Sequence, residues 1–151
     1  MAVLMTINAE GIALVKISEG LRLTAYNCPA GKCTIGYGCT TYADGSPVKS
    51  GDTINIDDAE ALFDFHIKEA EKAVNELAPG LNQNQFSALV DFVFNFGRQA
   101  FFSSRLLTCI IQGKLDQVPS ELMRWIHIGV TPNKALKIRR AAEVALWNKK
   151  P

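Results

Sequence analysis

Two runs, Glu19-Gly-Leu-Arg-Leu-Thr-Ala-Tyr26 and Cys33-Thr-Ile-Gly-Tyr-Gly38, carry the reading of the fold. Gly31, Gly36, Gly38, Gly45 and Gly51 punctuate short apolar and β-branched segments here. That texture predicts small antiparallel strands joined by tight turns. Between about residues 21 and 50 lies the only part of the chain that reads as sheet. Glu19 stands where the texture begins, at the end of a helix with Asn8 as its N-cap and Ile12, Leu14 and Val15 among its buried residues.

Downstream, Asn55 followed by Asp58 resembles an N-cap with an acid at the third helical position, and Asp57 and Glu60 add favourable first-turn charge. The helix predicted from there covers about residues 56–77. Its apolar residues Ala59, Leu62, Phe63, Ile67, Ala70 and Val74 fall at three- and four-residue steps, one stripe of an amphipathic helix. Pro79-Gly80 stops it. Asn82 then caps an apolar helix from Phe86 to Phe96, ended by Gly97, with Phe86, Leu89, Val90, Val93 and Phe94 as core positions. Ser103 or Ser104 starts another that Gly113 ends. Pro119-Ser120-Glu121 opens a short one carrying Trp125, and Asn133 opens the last, which closes with Trp147 and two lysines. His66 and His127 both fall in predicted helices.

The layout is α+β: a small N-terminal β-hairpin lobe (about 20–54) joined by a long helix (about 56–77) to an all-helical lobe (about 78–151) that includes the N-terminal helix. Together they make one domain over 1–151. A cleft between such lobes is a natural place to bind a ligand.

With 151 residues, 48% hydrophobic and 21% charged, the chain has an ordinary globular balance and is long enough for one sizeable core. No apolar run approaches the roughly 18 residues a membrane span needs. Asn8 and Glu10 interrupt the first apolar run, which lacks a basic leader, so it reads as a poor signal peptide and the protein is expected to stay in the cytoplasm. Residues 1–76 carry eleven acids and six bases, whereas residues 77–151 carry four acids and ten bases. A basic half could serve a polyanion, but no aromatic–basic interleaving accompanies it, and a solvated helix face is the preferred reading. Cysteines at 28, 33, 39 and 109 lack the tight Cys-x2-Cys hook of a structural zinc site. Neither metal nor cofactor is expected.

Glu19 is the residue with chemistry to offer. A carboxyl at a helix end facing a cleft is partly desolvated, which raises its pKa towards that of a working general acid. Its company is informative: Cys28 stands nine positions on, and Thr34 six beyond that, opening Thr-Ile-Gly-Tyr-Gly38. This pattern resembles the catalytic signature of the T-even phage lysozyme family, the muramidases of glycoside hydrolase family 24. Further matches occur in order through Phe94-Asn95-x-Gly97, Phe102 leading into Ser103-Ser104-Arg105-Leu106-Leu107, Trp125, and Arg139-Arg140-x-x-Glu143-x-x-Leu146-Trp147.

The resemblance implies a lysozyme-like fold and an enzyme that hydrolyses the β-1,4 bond between N-acetylmuramic acid and N-acetylglucosamine in peptidoglycan. Glu19 would protonate the leaving oxygen, and the residue at position 28 would activate water or attack the anomeric carbon. Thr34 would hold the water, while Phe94 and Asn95 would contact sugar. Among Lys134, Arg139 and Arg140, one cation would approach Glu19. As in relatives, release to the wall implies a separate pore-forming holin. The expected partners are otherwise peptidoglycan glycan strands, with no nucleic acid, no stable membrane insertion and a monomeric enzyme.

Two positions depart from the family pattern. Cys28 replaces the usual Asp, and a thiolate can take either of its roles; a catalytically silent wall-binding module on the same fold is the alternative. Cys39 replaces a His. A Cys28–Cys33 or a Cys33–Cys39 disulfide is conceivable under oxidising conditions, and spacing leaves both open.

Overall fold

The side-chain oxygen of Asn8 accepts the Gly11 backbone N–H at 2.9 Å, and this cap opens the first helix, α1, Ala9–Glu19. The computed structural model describes residues 4–27 and 32–151. After α1 come strands β1 (Arg22–Asn27) and β2 (Cys33–Gly36), then α2 (Ile56–Leu77) and α3 (Gln83–Phe96). Next are α4 (Arg98–Phe102), α5 (Arg105–Ile111), a short 3-10 turn (Leu115–Gln117) and α6 (Val118–Leu122). The short strands β3 (His127–Ile128) and β4 (Thr131–Pro132) precede the closing helix α7, Lys134–Asn148. No described helix is long and apolar enough to cross a membrane.

The chain divides into two compact units, one of Lys16–Glu69 and the other of the described residues up to Val15 with Ala70–Pro151. Both boundaries fall inside helices, α1 and α2.

In the Lys16–Glu69 unit, β1 and β2 run antiparallel, with Arg22 opposite Gly36, Tyr26 opposite Thr34 and Asn27 opposite Cys33. The register shifts between Arg22 and Tyr26; a single bridge from Thr24 to Thr53 ties the following loop to β1, and one from Thr41 to Pro47 closes that loop on itself. Helix α2 opens on a reciprocal cap: Asp58 N–H donates to Asn55 Oδ1 at 2.7 Å, and Asn55 N–H donates to Asp58 Oδ2 at 3.4 Å. Its predicted stripe is buried as expected, with Ala59, Leu62, Phe63, Ile67, Ala70 and Val74 all inside. Ile35 and Val48 join the first four of these in the core of this unit.

In the other unit α3 packs against α7 and α4, and α6 against α5 and α7. Asn82 and Gln85 form a full capping box at the start of α3, and Gly97, at φ +93°, ends it. Ser104 caps α5 by accepting the Leu107 N–H at 3.0 Å. Helix α3 is buried on more than one stripe. Phe92, at 0% exposure, packs edge-on against Phe101 and Trp125, whereas Phe94 is only half-buried.

Several sequence expectations need correction. Helix α4 occupies the five residues between Gly97 and Ser103, where no helix was expected; it is too short to show a period. Trp125 lies beyond α6 rather than on it, and His127 is in β3 rather than in a helix. β3 and β4 make a second hairpin, His127 opposite Pro132 and Ile128 opposite Thr131. Two residues per strand leave no alternation to read, and the turn is supplied by Gly129 at φ +60°.

The closing basic helix is not simply a solvated face, although Lys134 and Lys137 are exposed. Arg139 and Arg140 are buried at 6% and 0% exposure. Arg139 grips Asp91 with Nε to Oδ2 at 3.0 Å and Nη2 to Oδ1 at 2.8 Å. Arg140 Nη2 donates to Glu143 Oε2 and to Asn95 Oδ1, each at 2.8 Å. Burial first, then the hydrogen bond and charge of Asp91, push the Glu143 carboxyl well above the ordinary carboxylate range and favour its protonated form. Breaking a buried pair strands a charge, at a cost of about 3–5 kcal/mol. Asp91→Asn is therefore expected to lose about that much stability in urea unfolding; a loss under about 1 kcal/mol would show the Arg139–Asp91 pair to be screened.

Candidate functional site

Glu19 is the last residue of α1. The helix stops because Gly20 turns to φ +70°, its N–H still donating to Lys16 O at 2.9 Å. The carboxyl-bearing side chain is half-buried. It lies against the turn that follows β2. There Ile35 and Cys39 exchange backbone hydrogen bonds of 2.9 Å each way, enclosing Gly36-Tyr37-Gly38, and both glycines take positive φ (+64° and +72°). A Cβ built on Gly38 would sit 2.6 Å from Glu19 Cδ, so only a bare Cα leaves room for the carboxylate. Gly38 of the signature is thus a steric requirement set by Glu19, whereas Gly36 is required by its positive φ.

Thr34 lies in β2, buried at 4% exposure, and its hydroxyl donates to Lys32 O at 3.3 Å. That bond leaves the oxygen's lone pairs to accept a hydrogen bond from a water. Cys28 lies outside the described residues. Cys39 is buried at 4% exposure with its Sγ donating to Tyr37 O at 3.7 Å. Burial, followed by the nearby Glu19 charge, pushes its thiol up to about 12. Cys39 therefore stays neutral where the family pattern has His, and no cation stands at that position. Cys39 and Cys109 are free thiols, so a Cys33–Cys39 disulfide is not present, and a Cys28–Cys33 pairing involves a residue outside those described.

Sequence reasoning missed a cluster beside Glu19. Lys16, one helical turn before it, donates to both Glu60 oxygens at 3.0 and 2.8 Å. Tyr37 Oη donates to Glu60 Oε1 at 2.9 Å. The Lys16 ammonium also lies over the Tyr37 and Phe63 rings, 4.9 and 5.0 Å from their centroids, and those rings meet edge to face. The hydrogen bonds from Lys16 and Tyr37 hold Glu60 below the ordinary carboxylate range, and the bond to Glu60 raises Lys16. The pair is therefore intact between the acid pH at which Glu60 takes up a proton and the alkaline pH at which Lys16 loses one. Lys16 and Glu60 are part-exposed, at 29% and 41%, and pairs of that kind contribute about 0–1 kcal/mol. Glu60 read only as first-turn helix charge, because 44 residues separate it from Lys16 and no local spacing links them.

In the other unit Phe94 and Asn95 sit near the end of α3. Arg140 occupies Asn95 Oδ1, which fixes the amide so that its NH2 remains the donor. A cavity of about 490 Å³ in this unit is lined by residues including Phe96, Trp125, Arg105, Arg124 and Glu121. Among the described residues no group of three or more His, Cys, Asp or Glu is placed to hold a metal ion.

Residues 16–143 match the family model described as phage lysozyme. The chain belongs to the phage lysozyme family. It is 38% identical over 148 residues to an endolysin of Acyrthosiphon pisum secondary endosymbiont phage 1, covering 95% of this chain and 98% of that one. With the endolysin of Salmonella phage P22 it shares 35% identity over 145 residues, 95% of this chain and 99% of the relative. The structure of an endolysin from Escherichia coli O157:H7 phage FAHEc1 superposes with a TM-score of 0.88 at 30% identity, covering 99% of this chain and 97% of that one. The enzyme is accordingly an endolysin of the lysozyme class, and its α+β fold is lysozyme-like.

The Gly38 geometry yields a test. In Gly38→Ala the new methyl meets both an unfavourable φ and the Glu19 carboxylate, so the carboxylate must move. Displacing a reacting group by about 1 Å costs on the order of a hundredfold in rate. Lytic activity is expected to fall by about that factor while the variant still folds, as judged by circular dichroism; parental lysis rates in the variant would refute the steric reading.

Proposed function

We propose that the enzyme cleaves the β-1,4 bond between N-acetylmuramic acid and N-acetylglucosamine in bacterial peptidoglycan, with Glu19 as general acid. The observation that supports this most directly is the seating of the Glu19 carboxylate against bare Gly38, in the turn that follows the strand bearing Thr34. The carboxyl donates its proton to the glycosidic oxygen as the bond to the anomeric carbon breaks, so the departing sugar leaves as a neutral hydroxyl. Cys28 supplies either the base that takes a proton from the attacking water or the nucleophile that first bonds the anomeric carbon. Thr34 accepts a hydrogen bond from that water through a lone pair of its hydroxyl. Phe94 contributes a ring face and Asn95 an amide donor to bound sugar.

The 151 residues act as one catalytic domain and as a monomer, requiring no cofactor. The protein accumulates in the host cytoplasm and reaches the wall when a separate holin opens the membrane.

Turbidity loss of purified peptidoglycan, with product reducing ends assayed, tests the acid. Glu19→Gln keeps the shape of the side chain but has no proton of suitable acidity to give. A loss of at least about a hundredfold is expected, in line with general acid catalysis; an active Gln variant assigns the proton to another group. A silent wall-binding module would instead show no reducing ends with the parental protein.

Position 28 makes a second series. Cys28→Asp restores the family carboxylate and is expected to remain active, whereas Cys28→Ala leaves nothing to activate water and is expected to lose most activity. Equal rates for the Ala variant and the parent would make the thiol structural.

A further inference from the structure

We infer that Lys16, Glu60 and Tyr37 are positioning residues for the Glu19 carboxyl, an inference that rests on the reading of Glu19 as the acid. Two short pieces of chain meet at that carboxyl. One is the last turn of α1, which carries Lys16 and Glu19 three residues apart and so on one side of the helix. The other is the Gly36-Tyr37-Gly38 turn, whose Gly38 Cα touches the carboxyl while the neighbouring Tyr37 faces Glu60. Glu60 bonds to both pieces at once. Its Oε1 accepts from Tyr37 Oη at 2.9 Å and from Lys16 Nζ at 3.0 Å, and its Oε2 accepts from Lys16 Nζ at 2.8 Å.

Glu60 is itself fixed, because it lies near the start of α2, five residues after the Asn55 cap and beside buried Ala59. The ammonium of Lys16 is further held over the rings of Tyr37 and buried Phe63. The cluster thus joins the end of α1 to the turn through a third element that neither could move. Lys16 also reaches the turn directly, its ammonium lying over the Tyr37 ring. Glu60 thereby supplies directional hydrogen bonds between the piece that carries Glu19 and the piece that carries Gly38.

The design suits positioning better than stability. All three groups are part-exposed, so their loss removes little buried surface and little fold energy. Rate is far more sensitive, since misplacing a catalytic group by an ångström costs on the order of a hundredfold. A positioning role therefore separates from a structural one in kinetics.

The test measures kcat and KM on soluble peptidoglycan fragments, with thermal unfolding alongside, for Glu60→Gln, Lys16→Met, Lys16→Arg and Tyr37→Phe, with Glu19→Gln as reference. Glu60→Gln and Lys16→Met are expected to lower kcat by about ten- to a hundredfold with KM within about twofold of the parent. Tyr37→Phe keeps the ring beneath Lys16 and loses one bond, so a smaller drop in kcat is expected. Lys16→Arg retains charge, paired donors and stacking on the rings, and is expected to stay close to the parental kcat. The inference is overturned if Glu60→Gln and Lys16→Met keep parental kcat while Glu19→Gln is inactive. It is equally overturned if their losses track the unfolded fraction at the assay temperature, which marks a merely structural cluster. If Glu19→Gln itself remains active, the acid assignment fails separately.

Discussion

A carboxylate pressed against a glycine Cα is the constraint on which the hairpin unit is built. It requires that α1 end at Glu19, that the chain reverse through Gly20, and that the turn after β2 present a residue without a side chain at position 38. It also determines what Cys39 can be. One residue beyond Gly38, buried and next to the Glu19 charge, a thiol resists ionisation and stays neutral, adding no competing charge to the carboxyl. The Lys16–Glu60–Tyr37 cluster lies on the same two pieces of chain and supplies the directional bonds that a glycine cannot.

The helical unit obeys a different rule. Its centre is α3, buried on several sides, and the polar groups that α3 and α7 bring inside must satisfy one another. Asp91, Arg139, Arg140, Glu143 and Asn95 do so in part, and Arg140 Nε and Nη1 and Glu143 Oε1 have no hydrogen-bond partner among the described residues. Such a network contributes little net stability, because desolvation offsets the Coulomb gain, but it penalises any packing that separates its members. It also turns one sugar-binding candidate into a constrained group, since Arg140 holds the amide oxygen of Asn95.

In the proposed reading, Cys28 in place of the family signature's Asp separates the chemistry of this enzyme from its architecture. The architecture follows the phage lysozyme pattern through nearly the whole chain, with 30% identity sufficient for a TM-score of 0.88 to a solved endolysin. Under the proposed function, the reactive group at position 28 is sulfur where the family signature has a carboxylate oxygen. Thiolate chemistry depends on ionisation and oxidation state in ways carboxylate chemistry does not.

The amino-acid sequence by itself determined the elements whose signals are local. Asn8, Asn55, Asn82, Ser104 and Asn133 cap their helices because a side-chain oxygen needs only an N–H three residues away. The α2 stripe is buried because its period matches the helix. The hairpin and Glu19 at its edge were legible from glycine spacing and from the family signature. Helix α4 and the β3–β4 hairpin were not, since five residues or two cannot display a period. Only the tertiary structure decided that Gly38 must be bare, that Glu60 bridges Lys16 and Tyr37, and that two arginines of α7 belong inside with Asp91. Each of those depends on residues 19 to 49 positions apart, and sequence spacing carries no information about contacts that chain folding alone brings together.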